Sequence, residues 1–241
     1  MSKMNPSFNL PQIGVIHTPY GQKFAVPRQG GLAPAALSEI EFFAPYGDPQ
    51  AFIGLEGFSH LHVLFIFHEI EEGLPFKAMV RPPRLGGNQR AGVFATRSPF
   101  RPGRLGLSVL KLRSMRVVNG LMRLSVEGAD MVDGTPIVDV KPYIPFVDAH
   151  PEAAGGFAAA PPPVKSVSFE PEVHKALAQR FTPDELQALE QILAQDPRPA
   201  YKAQSTDDRI YYALILGLNI GFKVTADHVT VVSAAGPHEE I

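Results

Sequence analysis

The sequence predicts a mainly β protein, in which a compact antiparallel sheet or barrel is followed by a small α+β domain. Between residues 13 and 147, short runs of β-branched and aromatic residues are separated by Gly, Pro and Asn, as in strands joined by turns. No long helical segment separates these runs, which favours antiparallel pairing in a sheet or barrel. Beyond residue 170 the apolar residues take the spacing of helices.

Seven runs are predicted to be strands, and a tight turn is predicted between two of them. In chain order the runs span residues 13–18, 51–56, 62–70, 92–96, 107–115, 121–128 and 136–144. The tripeptide at 118–120 reads Val-Asn-Gly, which is a strong hairpin signal. In the fifth run, Leu107 and Val109 alternate with Ser108 and Leu110, so the two pairs should face opposite sides of the sheet.

The rest of the chain predicts a linker and a small helix-plus-hairpin domain. Ala, Gly and Pro dominate the sequence from residue 149, and we place the linker at 149–165, between domains at 10–148 and 166–236. The segment 171–181 predicts a first helix. Two strand-like runs, 210–224 and 228–234, follow the second helix.

The second helix has clear start and stop signals. Thr182 is predicted as its N-cap, Pro183 as its first helical residue and Glu185 as the partner in a capping box. The helix should end near Asp196, because the next residue is a proline and the residue before a proline avoids the helical region.

Charge is unevenly distributed although the net charge is only −2. Residues 77–116 hold ten Lys and Arg and no Asp or Glu, whereas residues 39–72 hold seven acidic residues and no Lys or Arg. Such segregation permits a local positive field in a nearly neutral protein. Charge alone leaves two interpretations open: a basic face neutralised by the acidic segment, or an anion-binding patch.

The composition excludes several kinds of site. Without cysteine there is no disulfide, no thiolate metal site and no cysteine nucleophile. Neither the glycine fingerprint of Rossmann units nor the P-loop pattern is present. The N-terminus lacks the apolar core of a signal peptide, and the longest apolar run, 63–67, is too short to span a bilayer. We therefore expect a soluble cytoplasmic protein with no membrane partner.

Three histidines raise the question of a metal site. His60, His62 and His68 have even spacing, which would place them on one face of a strand. Glu69 would lie on the opposite face, so no carboxylate completes the set. We expect no metal, and instead a buried histidine or a His68 that faces a ligand.

Six long motifs follow one another along nearly the whole chain. They are IGVIHTPYGQKFAVPRQGGL (13–32), FIGLEGFSHLHVLFIFHE (52–69), VRPPRLGGNQRAGVFATRSPFRP (80–102), LGLS (105–108), GADMVDGTPIVDVKPYIPFVD (128–148) and QDPRPAY (195–201). In sequence and order they resemble the motifs of the TrmO family, also called TsaA-like or VirR-type.

The resemblance implies an S-adenosylmethionine-dependent methyltransferase built on a small antiparallel β-barrel, without a Rossmann fold. Family members form homodimers. Those that carry the C-terminal domain, as this chain does, methylate N6 of threonylcarbamoyladenosine at position 37 of the tRNA anticodon loop. We therefore expect S-adenosylmethionine as cofactor, tRNA as partner and a homodimer. Two alternatives stay open: a methyltransferase of another RNA or a small molecule, and a non-catalytic S-adenosylmethionine-binding module.

Carried over motif by motif, the resemblance also implies a cofactor pocket. Its residues are Pro27, Arg28, Gln29, His68, Glu69, Arg97, Leu107, Asp130, Met131, Val132, Asp133 and Gly134. Arg28 or Arg97 would hold the methionine carboxylate bidentately. Asp133 would accept a hydrogen bond from the ammonium group or the ribose.

A second set of residues is expected to meet the tRNA. Asp196, Arg198 and Tyr201 of the DPRPAY motif are expected to contact tRNA or to position the substrate, because Arg pairs with phosphate and Tyr stacks on bases. Arg101 and Arg104 are expected on the rim that meets RNA. No residue is assigned as catalytic base.

The chain departs from the family pattern at three places. Gly103-Arg104-Leu105 stands where the family usually has Asn-Pro-Ile, which adds a positive charge. His62 replaces a Trp, and Gly221 replaces an Arg in the last domain. The departures concern details of tRNA contact, and hence the identity of the tRNA, more than the cofactor residues.

Overall fold

The structure is a computed structural model that describes residues 8–202 and 208–237. The strands of this part of the chain are β1 (Gly14–His17), β2 (Leu37–Phe42), β3 (His60–Ile66), β4 (Met79–Val80), β5 (Ala91–Gly92), β6 (Leu105–Val118), β7 (Leu121–Glu127), β8 (Thr135–Pro142), β9 (Ser166–Phe169), β10 (Tyr211–Ile215), β11 (Leu218–Val224) and β12 (His228–Ala235). The α-helices are α1 (Pro145–Asp148), α2 (Pro171–Arg180) and α3 (Pro183–Ala194). None of the helices described is both long and apolar enough to cross a membrane.

Six antiparallel strands close into a barrel in the order β1-β2-β7-β6-β3-β8. Alternate residues fill its interior, as on β3, where Leu61, Val63 and Phe65 are buried and their neighbours are only partly covered. On β6 the same alternation buries Ser108 and Leu110 and leaves the intervening side chains outside. The predicted antiparallel barrel and the alternation on β6 are therefore confirmed.

Two predicted strands were wrong. Residues 51–56 form parts of two 3₁₀ turns, Pro49–Phe52 and Leu55–Gly57, and residues 93–95 form another. In the first case the side chain of Asp48 accepts a hydrogen bond from the backbone of Gln50 and caps the turn. Gly54, at φ 91°, then separates the two turns. Phe52 and Val93 are buried in two of these turns, and Leu55–Gly57 buries no residue. The apolar composition of these segments suggested strands, although buried and exposed residues do not alternate along them.

Strand β2 was missed because its sequence, LSEIEF, is half polar. Ser38, Ile40 and Phe42 point into the barrel, whereas Glu39 lies on the outer face and pairs with Arg116 and Arg123. The predicted hairpin at 118–120 is confirmed: Asn119 and Gly120 both have positive φ, at 53° and 81°, as the tight turn between β6 and β7 requires.

The C-terminal part is a four-stranded sheet in the order β10-β11-β12-β9, covered by α2 and α3. Strand β9, which the sequence analysis missed, runs parallel to β12. The predicted run 210–224 is in fact two strands, joined at Leu216 and Gly217, whose φ values are 51° and 74°. The capping box of α3 is present as predicted: Thr182 accepts from the backbone of Glu185, and the Glu185 side chain accepts from the backbone of Thr182.

The segment 18–36, which leaves the barrel after β1, packs on the C-terminal sheet and helices. Its residues Tyr20, Ala25, Ala33 and Ala36 lie in one hydrophobic cluster with residues of that sheet and of α3. Backbone hydrogen bonds fix the segment at one end, where the N–H of Gly21 donates to Leu214 and the N–H of Leu216 donates to Pro19. Near the other end, Gln191 of α3 accepts from the N–H of Ala35.

Candidate functional site

The loop Pro27–Gly31, which carries the PRQ motif, lies directly against the loop that follows β7. The N–H of Gly31 donates to the carbonyl of Gly128 at 2.8 Å. A Cβ atom at Gly30 would lie 3.2 Å from that same carbonyl oxygen, and a Cβ at Gly128 would lie 2.9 Å from the Cα of Gly31. The two backbones approach this closely because glycines stand at the contact.

The carboxyl group of Asp130 joins three of the motifs. It accepts a hydrogen bond from the hydroxyl of Ser108 at 2.5 Å and another from the N–H of Gly30. Burial raises the pKa of Asp130, while those hydrogen bonds and the charge of Arg97 oppose the rise. The phenol of Tyr20 lies close enough that burial, followed by the Asp130 charge, raises its pKa as well. The half-buried carboxyl group of Asp130 thus links the LGLS, PRQGG and DMVDGT motifs.

Arg97 of the ATRSPF motif completes this cluster from the loop that follows the 3₁₀ turn Val93–Ala95. Its guanidinium donates to the side-chain oxygen of Gln29 at 2.8 Å. The side chains of Arg97 and Gln29 are exposed, whereas Asp130 is half-buried. The structure therefore brings Gln29, Arg97 and Asp130 together, as the resemblance implied for residues that are distant in sequence.

Arg28 links this cluster to the C-terminal DPRPAY turn. Its guanidinium donates to the backbone carbonyl of Arg198 at 3.1 Å, a contact between residues 170 positions apart. Partial burial lowers the pKa of Arg28, Asp196 opposes the change, and Arg84 adds to it. One hydrogen bond occupies one of the five donors of a guanidinium, so Arg28 retains donors for an anion.

Asp196 and Arg198 form a buried ion pair and do not line an exposed loop. Arg198 is 1% exposed and Asp196 is 7% exposed. Two nitrogens of the guanidinium contact the two carboxylate oxygens at 2.9 Å each. The guanidinium also lies over the ring of Tyr211, at 5.7 Å from its centroid. In this conformation Arg198 cannot reach a phosphate, which leaves the positioning role; Tyr201 is 66% exposed and accessible.

His68 and Glu69 lie in the turn after β3, outside the strand, and are both exposed. Lys23 reaches Glu69 from the segment 18–36, with its ammonium nitrogen 3.1 Å from the backbone carbonyl and 3.1 Å from the carboxylate. Because β3 ends at residue 66, His68 does not share a strand face with His60 and His62, contrary to the sequence analysis. Among the described residues, no three His, Asp or Glu side chains lie close enough to hold a metal ion.

The turn Asp130–Gly134 has two sides. Asp130 faces the cluster with Ser108, whereas Asp133 accepts from the N–H of Thr18 at 2.9 Å and lines an open groove of about 560 Å³. Between them Met131 is buried and its carbonyl accepts from the hydroxyl of Thr18 at 3.0 Å. Val132 is half-buried, and Gly134 has φ 78° at the end of the turn.

Pro27 is buried at the start of the loop 27–31, which carries the PRQ motif. Leu107 is 52% exposed on the outer face of the barrel, where it pairs with Leu64 of β3. The neighbouring Gly106 points inward, and a Cβ at that position would overlap the ring of Phe65. The LGLS motif thus combines a glycine required by packing, an outward leucine and the inward Ser108.

Arg101 and Arg104 both donate to backbone carbonyls, but only Arg104 forms an ion pair among the described residues. Arg101 donates to the carbonyl of Thr96 at 3.2 Å. Arg104 donates to the carbonyl of Ile70 at 3.0 Å and forms an ion pair of 2.6 Å with Glu72. The additional charge of the Gly103-Arg104-Leu105 departure is therefore compensated within the chain, which weakens the expectation that Arg104 binds RNA.

The two other departures also have local partners. His62 lies 3.1 Å from the carboxylate of Asp148 and 5.4 Å from the ring centroid of Tyr143. At Gly221, a Cβ would overlap the hydroxyl of Ser233 and lie 2.9 Å from the ring of Tyr212. The surrounding packing thus leaves no room for an arginine there.

Sequence reasoning missed two polar residues of the site. Ser108 was recognised only as part of an alternating strand, although a serine at an inward position is itself a signal that a buried partner exists. Lys23 was noted in its motif but given no role. Nothing in the sequence places Lys23 beside Glu69, because the contact depends on how the segment 18–36 folds back.

Comparison with known proteins finds relatives that are similar over most of this chain. A protein of Escherichia coli (strain K12) named tRNA (adenine(37)-N6)-methyltransferase is 45% identical over 222 residues, which cover 91% of this chain and 94% of that protein. A Pseudomonas aeruginosa protein named putative S-adenosylmethionine-dependent methyltransferase RcsF is 44% identical over 193 residues, 79% of this chain and 81% of that one. A crystal structure of TrmO from P. aeruginosa superimposes with a TM-score of 0.77 at 34% identity, covering 98% of this chain and 100% of that chain.

The family models match both parts of the chain. The tRNA-methyltransferase O N-terminal domain matches residues 15–149, which include the barrel and the loops of the Asp130 cluster. The TrmO C-terminal domain matches residues 162–236, which include the DPRPAY turn. With most of its length covered by these two domains, the chain belongs to the TrmO family of tRNA methyltransferases.

Proposed function

We propose that this chain transfers a methyl group from S-adenosylmethionine to N6 of the adenine at position 37 of tRNA, and that the preferred substrate is threonylcarbamoyladenosine. The observation that carries the proposal is the 45% identity to the E. coli methyltransferase over nearly the full length of both proteins. The cluster of Gln29, Arg97 and Asp130 supports it, since it lies where the motifs of the resemblance converge.

The residues expected in the pocket suit the chemistry of S-adenosylmethionine, which supplies an electrophilic methyl group when bound. Arg28 and Arg97 offer guanidinium donors for a carboxylate. Glu69, whose carboxylate is partly exposed beside Lys23, offers an acceptor for an ammonium group. Gly30 and Gly31 bring backbone close to the same place without side chains in the way.

The chain's main contribution would be to hold the two reactants in line. Methyl transfer gains most from placing the acceptor nitrogen about 3 Å from the methyl carbon. The adenine at position 37 would have to leave the base stack of the anticodon loop to enter the pocket. An exocyclic nitrogen that bears a carbamoyl group is a poor nucleophile, so an acceptor for its proton would help; we assign none.

We extend the proposal to the assembly and the setting in which the chain acts. The exposed apolar side chains on the outer face of β6, Leu107 and Val109, are compatible with a homodimer. As a modifier of tRNA, the chain would work in the cytoplasm. Sedimentation of the purified protein would test the dimer independently of catalysis.

Methylation assays test the reaction itself. With labelled S-adenosylmethionine, we expect transfer to threonylcarbamoylated tRNA and little transfer to the same tRNA lacking that group. Equal transfer to both would refute the preferred substrate and keep the tRNA activity. No transfer to either, with cofactor binding intact in calorimetry, would contradict the proposed reaction and favour a small-molecule methyltransferase or a non-catalytic binding module.

A further inference from the structure

A two-stranded ribbon lies outside both larger sheets, and its cations form no ion pair with any residue that the structure describes. We define the basic arm as residues 76–94, which contain β4 and β5. The ribbon is held by the pairs Met79↔Gly92 and Val80↔Ala91. Its two strands belong neither to the barrel nor to the C-terminal sheet.

The cations of the basic segment 77–116 divide into two groups by their partners. Those on or beside β6 form ion pairs: Lys111 and Arg113 share Glu127, and Arg116 pairs with Glu39. The cations of the arm are different. Within the described part of the chain, no ion pair is formed by Lys77, Arg81, Arg84 or Arg90. Among the described residues, six cations of the segment form no ion pair, and four of these six lie on the arm; Arg97 and Arg101 are the other two.

The arm also exposes two aromatic rings in a stacked arrangement. Phe76 is 60% exposed and Phe94 is 72% exposed. Their ring centroids lie 6.2 Å apart with an interplanar angle of 28°. Rings as exposed as these contribute little to the core, so burial does not explain why the chain places two phenylalanines here.

The arm lies next to the DPRPAY turn, in which the carbonyl of Arg198 accepts a hydrogen bond from Arg28. Its 3₁₀ turn, Pro83–Leu85, lies against the turn Ala200–Lys202 at the end of the DPRPAY motif. Arg84 is close enough to Arg28 to contribute to lowering the pKa of that side chain. A ligand held by the arm would therefore lie beside the residues proposed to bind the cofactor.

Unpaired cations next to exposed aromatic faces match the chemistry of single-stranded nucleic acid. Cations attract the phosphates, and aromatic rings stack on the faces of unpaired bases. A second copy of the chain fits less well. A two-fold interface through the arm would bring the same uncompensated cations of both copies together, and like charges repel.

We propose that the basic arm holds unpaired nucleotides of the RNA substrate, with Phe76 and Phe94 against bases and the four arm cations against phosphates. The inference rests on the proposed tRNA methyltransferase activity and assigns a surface to its substrate. It moves the expected RNA contact from Arg104, which Glu72 neutralises, to the arm.

Paired variants of the full-length protein test the arm. Phe76→Ala combined with Phe94→Ala removes both rings, and Phe146→Ala, at an 89% exposed position of α1, is the matched control. Arg81→Ala combined with Arg90→Ala removes two arm charges, and Arg113→Ala, an arginine of the same segment that is paired with Glu127, is the control. The probes are threonylcarbamoylated tRNA and its isolated anticodon stem-loop.

We expect the double phenylalanine variant to bind the stem-loop about tenfold more weakly or worse, with unchanged affinity for S-adenosylmethionine. The double arginine variant should lower the dependence of log affinity on log salt by about 1.4, since each phosphate contact on a single strand contributes about 0.7. Each control should bind RNA like the wild type.

Three outcomes would count against the proposal in different ways. Wild-type RNA affinity and salt dependence in both double variants would refute the arm as an RNA surface. The same result with a loss of dimer in sedimentation would assign the arm to an interface between copies. A wild-type chain that binds cofactor but neither binds nor methylates tRNA would refute the proposed function itself, whatever the variants do.

Discussion

The buried ion pair of the DPRPAY turn allows the sharpest stability prediction. Replacing Asp196 with alanine would leave the guanidinium of Arg198, which is 1% exposed, without its carboxylate. Removing one partner of a buried pair typically costs about 3–5 kcal/mol, because the remaining charge stays away from water. Arg198 would keep its contact with the Tyr211 ring, so we expect the lower end, about 3 kcal/mol.

Urea unfolding and thermal unfolding measure this cost. For a chain of this length, each kcal/mol shifts the midpoint by about 2–4 °C, so Asp196→Ala should unfold about 6–12 °C below the wild type. The variant should also bind S-adenosylmethionine more weakly, because the carbonyl that accepts from Arg28 belongs to Arg198. The second effect distinguishes a positioning role for this turn from a purely structural one.

Two controls isolate the buried charge as the cause. Asp196→Ala with Arg198→Met removes both charges of the bidentate pair and should recover part of the lost stability. Lys165, 3.7 Å from Asp196, also loses this carboxylate but keeps the carbonyls of Thr225 and Ala226 as acceptors. Glu72→Ala breaks the pair with Arg104 at a carboxylate that is 83% exposed, and should cost about 1 kcal/mol or less. If Asp196→Ala costs less than about 1 kcal/mol, or if the double variant is no more stable than the single one, the reasoning is wrong.

Four further predictions concern single positions. Thr182→Ala should cost about 1 kcal/mol in urea unfolding through loss of the capping box, and an unchanged midpoint would contradict that role. Gly106→Ala should cost about 1–3 kcal/mol, since the new methyl group overlaps the ring of Phe65; a wild-type unfolding curve would show that the barrel adapts freely. Arg97→Ala should weaken S-adenosylmethionine binding about tenfold or more in calorimetry, and wild-type affinity would remove this residue from the site. Burial raises the pKa of Asp130, so the folded state binds the proton of this carboxyl group more tightly than the unfolded state does. The stability of the wild type should therefore fall as the pH rises from about 3.9 toward the raised pKa. Asp130→Asn should not show this fall, and parallel pH–stability curves for the two proteins would refute the prediction.

The sequence predicts the barrel well wherever one strand face is buried and the other is not. The alternation on β6 and the turn at Asn119-Gly120 are local signals, and both were read correctly. Strand β2 was missed because its outward residues are glutamates, which find arginine partners only after the barrel closes. The false strand at 51–56 shows the converse error, since apolar residues in turns can be buried without alternation.

In the candidate site, too, residues within sequence motifs could be predicted, whereas contacts between distant parts of the chain could not. Motif order identified Gln29, Arg97 and Asp130, and the fold brings them together. The burial of Arg198 was not predicted, because an arginine between two prolines suggests an exposed loop. Residues distant in sequence surround the Arg198–Asp196 pair. They include Tyr211, whose ring lies against the guanidinium, and Lys165, whose ammonium nitrogen lies 3.7 Å from the Asp196 carboxylate.

These contacts give the C-terminal part of the chain a role in shaping the proposed cofactor loop. The segment 18–36 begins at β1 of the barrel, packs its apolar residues on the C-terminal sheet, and returns to β2. The loop Pro27–Gly31 therefore has two supports: Gly128 and Asp130 on the barrel side, and the Arg198 carbonyl on the other. Removing the C-terminal residues would expose Tyr20 and Ala25, both now buried, and would free Arg28 from its acceptor. A barrel without the C-terminal residues should therefore lose cofactor affinity as well as RNA contacts, because the loop that carries Arg28 and Gln29 would keep its contacts with the barrel but lose those with the C-terminal part.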